Sequence, residues 1–176
     1  MNFRGTTGYF WLDSWILANI VQLGTQRYCQ RFLSRRNDPC GRQFDQMTQA
    51  ARSGVANIAE GSARRKTSTE TEMRLTDVAR SSLSELAGDY LNVLLLQKNV
   101  PWPKEGETAR AIYAIRLDKP DYGQDVAHDA CAHILKQQRK FSRWLDADDP
   151  ETVANALLGK SSLSGDLGLK PVFLSR

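Results

Sequence analysis

The chain has 176 residues, 41% of them hydrophobic, and a formal charge of +4, which is long enough to bury one core without disulfides or metals and too short for two large domains. No apolar run approaches the roughly 20 residues of a membrane-spanning helix, since Ile16 to Leu23 and Tyr90 to Leu96 are short and mixed with polar residues. Three widely spaced cysteines, Cys29, Cys40 and Cys131, fit reduced thiols better than a disulfide framework, and Asp13 interrupts the N-terminal stretch with no small-residue cleavage site nearby, so the expectation is a cytoplasmic protein without a secretory leader.

From Tyr9 to about Leu33, apolar residues recur near the helical period at Trp15, Ile16, Ile20, Leu23, Tyr28 and Phe32, which predicts a first long helix. Asn37, Asp38, Pro39 and Gly41 make a turn. A second helix is expected over 42–64, with Phe44, Met47, Ala51, Val55 and Ile58 on one stripe and Ala50, Ser53, Gly54 and Ala56 leaving room for a close neighbour. Thr67, Ser68 and Thr69 offer N-cap hydroxyls for a third helix to about Lys98, which Pro101 and Pro103 end. Residues 107–117 read as a short helix and 124–145 as a fourth long one carrying Val126, Ala130, Ile134, Phe141 and Leu145. Asp149 and Pro150 suit the start of a short helix to about Leu158, and 159–176 reads as an aperiodic tail, disordered or pinned by a partner.

With no strand-like alternation, these elements predict an all-α fold. The expected form is an up-and-down antiparallel four-helix bundle over residues 1–146, with 101–123 a connecting insertion and 147–176 a C-terminal suffix. The first three long helices and 124–145 would share the core. Apolar coverage of the first and third helices exceeds one narrow stripe, which predicts homo-oligomerisation.

Charge is uneven along the chain. Residues 1–66 hold ten basic against four acidic residues, 67–100 three against five, and the remainder eleven of each. Arg31, Arg35, Arg36 and Arg42 form one cluster and Arg64, Arg65 and Lys66 another, on opposite ends of the second helix. Cations at helix C-termini satisfy terminal carbonyls and the macrodipole, which explains part of both clusters. The remaining arginines suit phosphate recognition and mark candidate nucleic-acid contacts. Trp11, Trp15, Trp102 and Trp144 read as core or interface anchors rather than base-stacking platforms.

The run Gln43 to Met47, continuing through Ala50 to Gly61, and the run Val78 to Leu86 resemble a bacterial four-helix-bundle family. That family includes proteins encoded in intervening sequences of 23S rRNA genes and the Avd accessory proteins of diversity-generating retroelements. The pair Asn57-Ile58-Ala59-Glu60-Gly61 and Ala79-Arg80-Ser81-Ser82-Leu83-Ser84-Glu85-Leu86 carries the likeness most specifically, within a match over about 8–98. The resemblance implies a small basic bundle, pentameric in some members, that binds nucleic acid or a reverse transcriptase and has no catalytic residues to carry over and no cofactor. The insertion over 101–123 and the tail depart from its compact members.

Two constellations hold residue types that could carry chemistry. His128, Asp129, Cys131 and His133 crowd metal-ligating types, yet on a helix His133 is turned about 140° from His128, so no metal site is expected. Asn57 and Glu60 share a helix face, and folding the second helix onto the third brings Glu60 level with Arg74. A polar network of Asn57, Glu60, Arg74 and Arg80 fixing helix register is the expectation, in preference to a general base.

Overall fold

The computed structural model describes residues 8–64 and 68–167, with side chains through Ser161. The fold is all-helical, and no strand occurs among the described residues. A 3-10 turn, Gly8–Trp11, leads into α1 (Asp13–Phe32); α2 (Arg42–Arg64), α3 (Thr69–Leu96) and α4 (Glu107–Ala114) follow. Then come α5 (Val126–Gln138), a 3-10 turn at Arg139–Phe141, α6 (Ser142–Leu145) and α7 (Pro150–Leu167).

The boundaries follow from local chemistry. Asp38 accepts from the amides of Gln43 and Phe44 (3.2 and 2.9 Å) and so caps the start of α2, while Gly41 takes the left-handed φ of 67° that lets the chain enter it. Ser68 caps α3 by accepting from Thr71 N at 3.2 Å. Lys98, at φ 59°, and the prolines beyond it end that helix.

Packing runs in a closed order: α1 on α2, α2 on α3, α3 on α7 and α7 on α1. Tyr90 of α3 reaches through the middle of this ring, where its hydroxyl donates to Thr25 Oγ1 of α1 at 3.0 Å and its ring meets Tyr28 edge-on at 5.5 Å. Both ends of that hydrogen bond are fully buried, so neither hydroxyl is left unpaired at the centre.

Four sequence expectations change. The first helix, expected from Tyr9, begins at Asp13, after the separate 3-10 turn Gly8–Trp11. The fourth long helix, expected over 124–145, breaks after Gln138 into the 3-10 turn and α6; Phe141, Trp144 and Leu145 still reach the core. The short helix over 107–117 stops at Ala114. Asp118 then ties the following segment to α5: its amide donates to Gln137 Oε1 at 2.9 Å, and its carboxylate accepts from Lys140 at 2.7 Å.

The largest change concerns the suffix. The helix expected to end near Leu158 runs on to Leu167, and Val153, Ala154, Ala156 and Leu157 belong to the same hydrophobic core as residues 10–145. The stretch 159–167 is therefore not an aperiodic tail; it looked like one because Gly159, Ser161 and Ser162 carry little hydropathy. Val153 and Leu157 supply the bulk on the buried side of this helix, and Gly24 of α1 admits it closely: a β-carbon there would lie 2.7 Å from Leu157 Cδ2. Residues 168–176 lie outside the described residues. No helix among the described residues is long and apolar enough to cross a membrane.

Candidate nucleic-acid interface

The α1–α2 turn is a pinned structure. Asn37 accepts from Ser34 N at 2.6 Å and donates to Phe32 O at 2.8 Å, while Asp38 caps α2. On this frame Arg35, Arg36 and Arg42 are exposed, and none has an ion-pair partner among the described residues. Three guanidiniums thus project from one end of the molecule on a turn whose shape its own side chains fix.

Arg31, expected in the same cluster, is directed elsewhere. Its guanidinium donates to the carbonyls of Leu145 (3.4 Å) and Ala147 (2.7 Å) and to Asp148 (3.4 Å), and it stacks over Phe32 at 4.7 Å. One turn earlier, Arg27 faces Asp146 at 3.6 Å. Together they clamp the α6–α7 junction onto α1, so Arg31, although exposed, braces that junction. Its acceptors lie more than a hundred residues away, so no local pattern marked the role.

At the far end of α2, roughly 33 Å away at about 1.5 Å per residue, Arg64 is exposed and its carbonyl accepts from Ser68 N at 3.0 Å. Arg65 and Lys66, named with it from the sequence, lie outside the described residues. Within one chain the two ends do not form a single patch.

Each residue of the expected polar network has its own surroundings. Asn57 donates to Ser53 O (2.8 Å) and Ser53 Oγ (3.1 Å) within its own helix, Arg80 pairs with Asp77 at 3.2 Å, and Glu60 and Arg74 are exposed. Ser82 Oγ donates to Ser53 Oγ at 3.0 Å and so links α3 to α2. The helices lie close here: a β-carbon on Gly54 would stand 2.8 Å from Leu83 Cγ.

His128 and Asp125 are a turn apart, and Asp125 caps His128 N at 3.2 Å; the imidazole pairs with Asp129 at 3.1 Å. That hydrogen bond, with a second from Gly123 N, lowers the Asp129 pKa. No group of three or more His, Cys, Asp or Glu is placed to hold a metal among the described residues.

Of the tryptophans, Trp15 and Trp144 are buried, Trp102 packs against the core, and Trp11 is exposed against Tyr122. Sequence reasoning missed Lys160, buried with its ammonium 4.9 Å from the Phe141 ring centre. Its place seven residues after Val153, on the same helical stripe, was the available signal. Burial, and then the charge of Arg116, lower its pKa to about 8.

No family model, no curated protein and no solved structure matches this chain.

Proposed function

We propose that the protein is a non-catalytic, self-associating helical adaptor that binds nucleic acid, a nucleic-acid enzyme such as a retroelement reverse transcriptase, or both. The observation that carries this reading is the pinned α1–α2 turn presenting Arg35, Arg36 and Arg42 to solvent without carboxylate partners. A planar guanidinium offers bidentate donors to phosphate oxygens, and a turn held by its own hydrogen bonds loses little entropy when an anion docks.

In this reading α1, α2, α3 and α7 form an up-and-down antiparallel four-helix bundle, with α4 to α6 as its insertion. The likeness of Asn57–Gly61 and Ala79–Leu86 to the intervening-sequence and Avd family supplies the partner class and the expectation of a ring-like assembly such as a pentamer. Self-association brings copies of the arginine turn side by side, which a single copy cannot do with its two separated clusters.

The test is binding of a fluorescent RNA and DNA oligonucleotide across a salt series. Replacing Arg35, Arg36 and Arg42 by Ala is expected to weaken binding and to flatten the salt dependence by about one unit of slope per lost phosphate contact. Unchanged affinity and slope in a folded triple variant remove the turn from the interface. No binding by the wild type at low salt leaves the second reading, a protein scaffold without nucleic-acid binding, which the anionic groove between α2 and α3 favours.

A further inference from the structure

α1 and α3 were both expected to have more apolar surface than one neighbour covers. For α1 the chain itself supplies the cover, from α2, α5 and α7. The outer side of α3 remains open, with Val78, Leu91, Leu95 and Leu96 exposed.

Beside it, α2 and α3 enclose a groove of about 530 Å³. Its floor is made of small residues, Ala50, Ser53, Ser82 and Gly88, and a β-carbon added at Gly88 would meet nothing within 4 Å. Glu85 and Asp89, one helical turn apart, line it; no basic residue does, and neither carboxylate has an ion-pair partner among the described residues. Burial raises the Asp89 pKa, a hydrogen bond from the Gln43 side chain opposes it, and the neighbouring Glu85 adds to the rise.

A surface of the opposite character lies on another part of the molecule. Along α5 and α6, Leu135 is 50% exposed, and Arg139 and Arg143 follow it at intervals of four residues, both exposed and both without a carboxylate partner among the described residues. The nearby Asp146 is already matched by Arg27. α5 packs on α1, and the groove belongs to α2 and α3, so the two surfaces share no residue and one copy can use both at once.

We infer that the α2–α3 groove receives the α5–α6 face of a second copy of this chain, with Leu135 over the small-residue floor and Arg139 and Arg143 against Glu85 and Asp89. Glu85 and Asp89 lie one turn apart on α3, and Arg139 in the 3-10 turn and Arg143 in α6 offer two cations to meet them. The guanidiniums supply the cations the groove lacks. Because the surfaces differ, the contact is head-to-tail and propagates into a ring or a filament. This interface rests on the self-association included in the proposed function and specifies where it occurs.

Charge reversal with complementation tests it, by sedimentation of the full chain at tens of micromolar and two salt concentrations. The wild type is expected to associate, less so at high salt. Glu85→Lys with Asp89→Lys, and separately Arg139→Glu with Arg143→Glu, are expected to weaken association at least about tenfold while keeping wild-type helicity by circular dichroism. An equimolar mixture of the two variants is expected to associate again, because each then meets an opposite charge. A wild type that assembles but ignores both reversals, or a mixture that stays dissociated, overturns this interface and leaves self-association standing. A monomeric wild type overturns both and leaves the groove to a cationic partner other than this chain.

Discussion

The Arg31 guanidinium donates to the Ala147 carbonyl at 2.7 Å across 116 residues of sequence. With its bonds to Leu145 O and Asp148, this contact joins the end of α1 to the point where the chain turns into α7, and the positive charge sits against carbonyls at the end of α6. Arg31→Ala is expected to lower stability by about 1 kcal/mol, a partly exposed charge-assisted interaction being worth no more. Lysine should rescue poorly because it lacks the fork that reaches two carbonyls. Urea denaturation reads the stability, and oligonucleotide affinity should stay at the wild-type value. A loss of binding equal to that of the Arg35, Arg36 and Arg42 variant would return Arg31 to the interface.

Helix separation sets opposite outcomes for two glycines. A β-carbon at Gly54 meets Leu83 Cγ and Cδ2 at 2.8 Å, close to that residue's branch point, where a rotamer change gives little relief. Gly54→Ala should destabilise by about 1–3 kcal/mol through overpacking, outweighing the roughly 1 kcal/mol gained in helix propensity. Gly88→Ala meets nothing within 4 Å and should stabilise the dilute protein by up to about 1 kcal/mol. Paired thermal melts check the signs; equal shifts for both variants would contradict the close α2–α3 approach.

Lys160 gives the fold a dependence on alkaline pH. Its pKa falls from 10.5 in the unfolded chain to about 8 in the folded one, burial being the main cause. Between those values the unfolded chain holds a proton that the folded chain has released, so stability from this group rises with pH; below about 8 both forms are charged and the penalty is constant. Lys160→Met should therefore be more stable than the wild type by about 2 kcal/mol at pH 7. The difference should shrink between pH 8 and 10.5. A difference independent of pH would show that packing, and not charge, separates the two proteins.

Thiol reactivity should divide the cysteines. Cys29 is fully buried, and burial, followed by the charges of Asp38 and Asp89, pushes its pKa to about 12, whereas Cys40 and Cys131 are exposed. At pH 8 a disulfide reagent is expected to modify Cys40 and Cys131 quickly and Cys29 only as fast as the fold opens. Mass spectrometry over a urea series distinguishes the sites. Prompt labelling of Cys29 without denaturant would mean that the α1 core opens locally.

The sequence by itself determined the helices whose signals are local. The apolar period expected over 9–33, the Asn37-to-Gly41 turn, the 42–64 helix and a hydroxyl cap among Thr67 to Thr69 are each written within a few residues; the structure has the turn, the second helix and the cap at Ser68 in place, and starts the first helix at Asp13 after a 3-10 turn. The exposure of Arg35, Arg36 and Arg42 also follows from a turn rich in Asn, Asp, Pro and Gly. Tertiary structure decided which helix closes the ring of contacts. That helix is α7, whose buried Val153, Ala154, Ala156 and Leu157 meet α1 and α3; the Gly and Ser residues that follow Leu158 show no apolar period, so neither its full length nor its partners could be read from the pattern. Tertiary structure likewise decided the roles of polar residues with distant partners. Arg31 became a brace because the α6–α7 junction arrives beside it, and Ser53 meets Ser82 because α2 and α3 approach closely. A cation's partner is a matter of three-dimensional proximity, which the order of residues constrains only after the helices have docked.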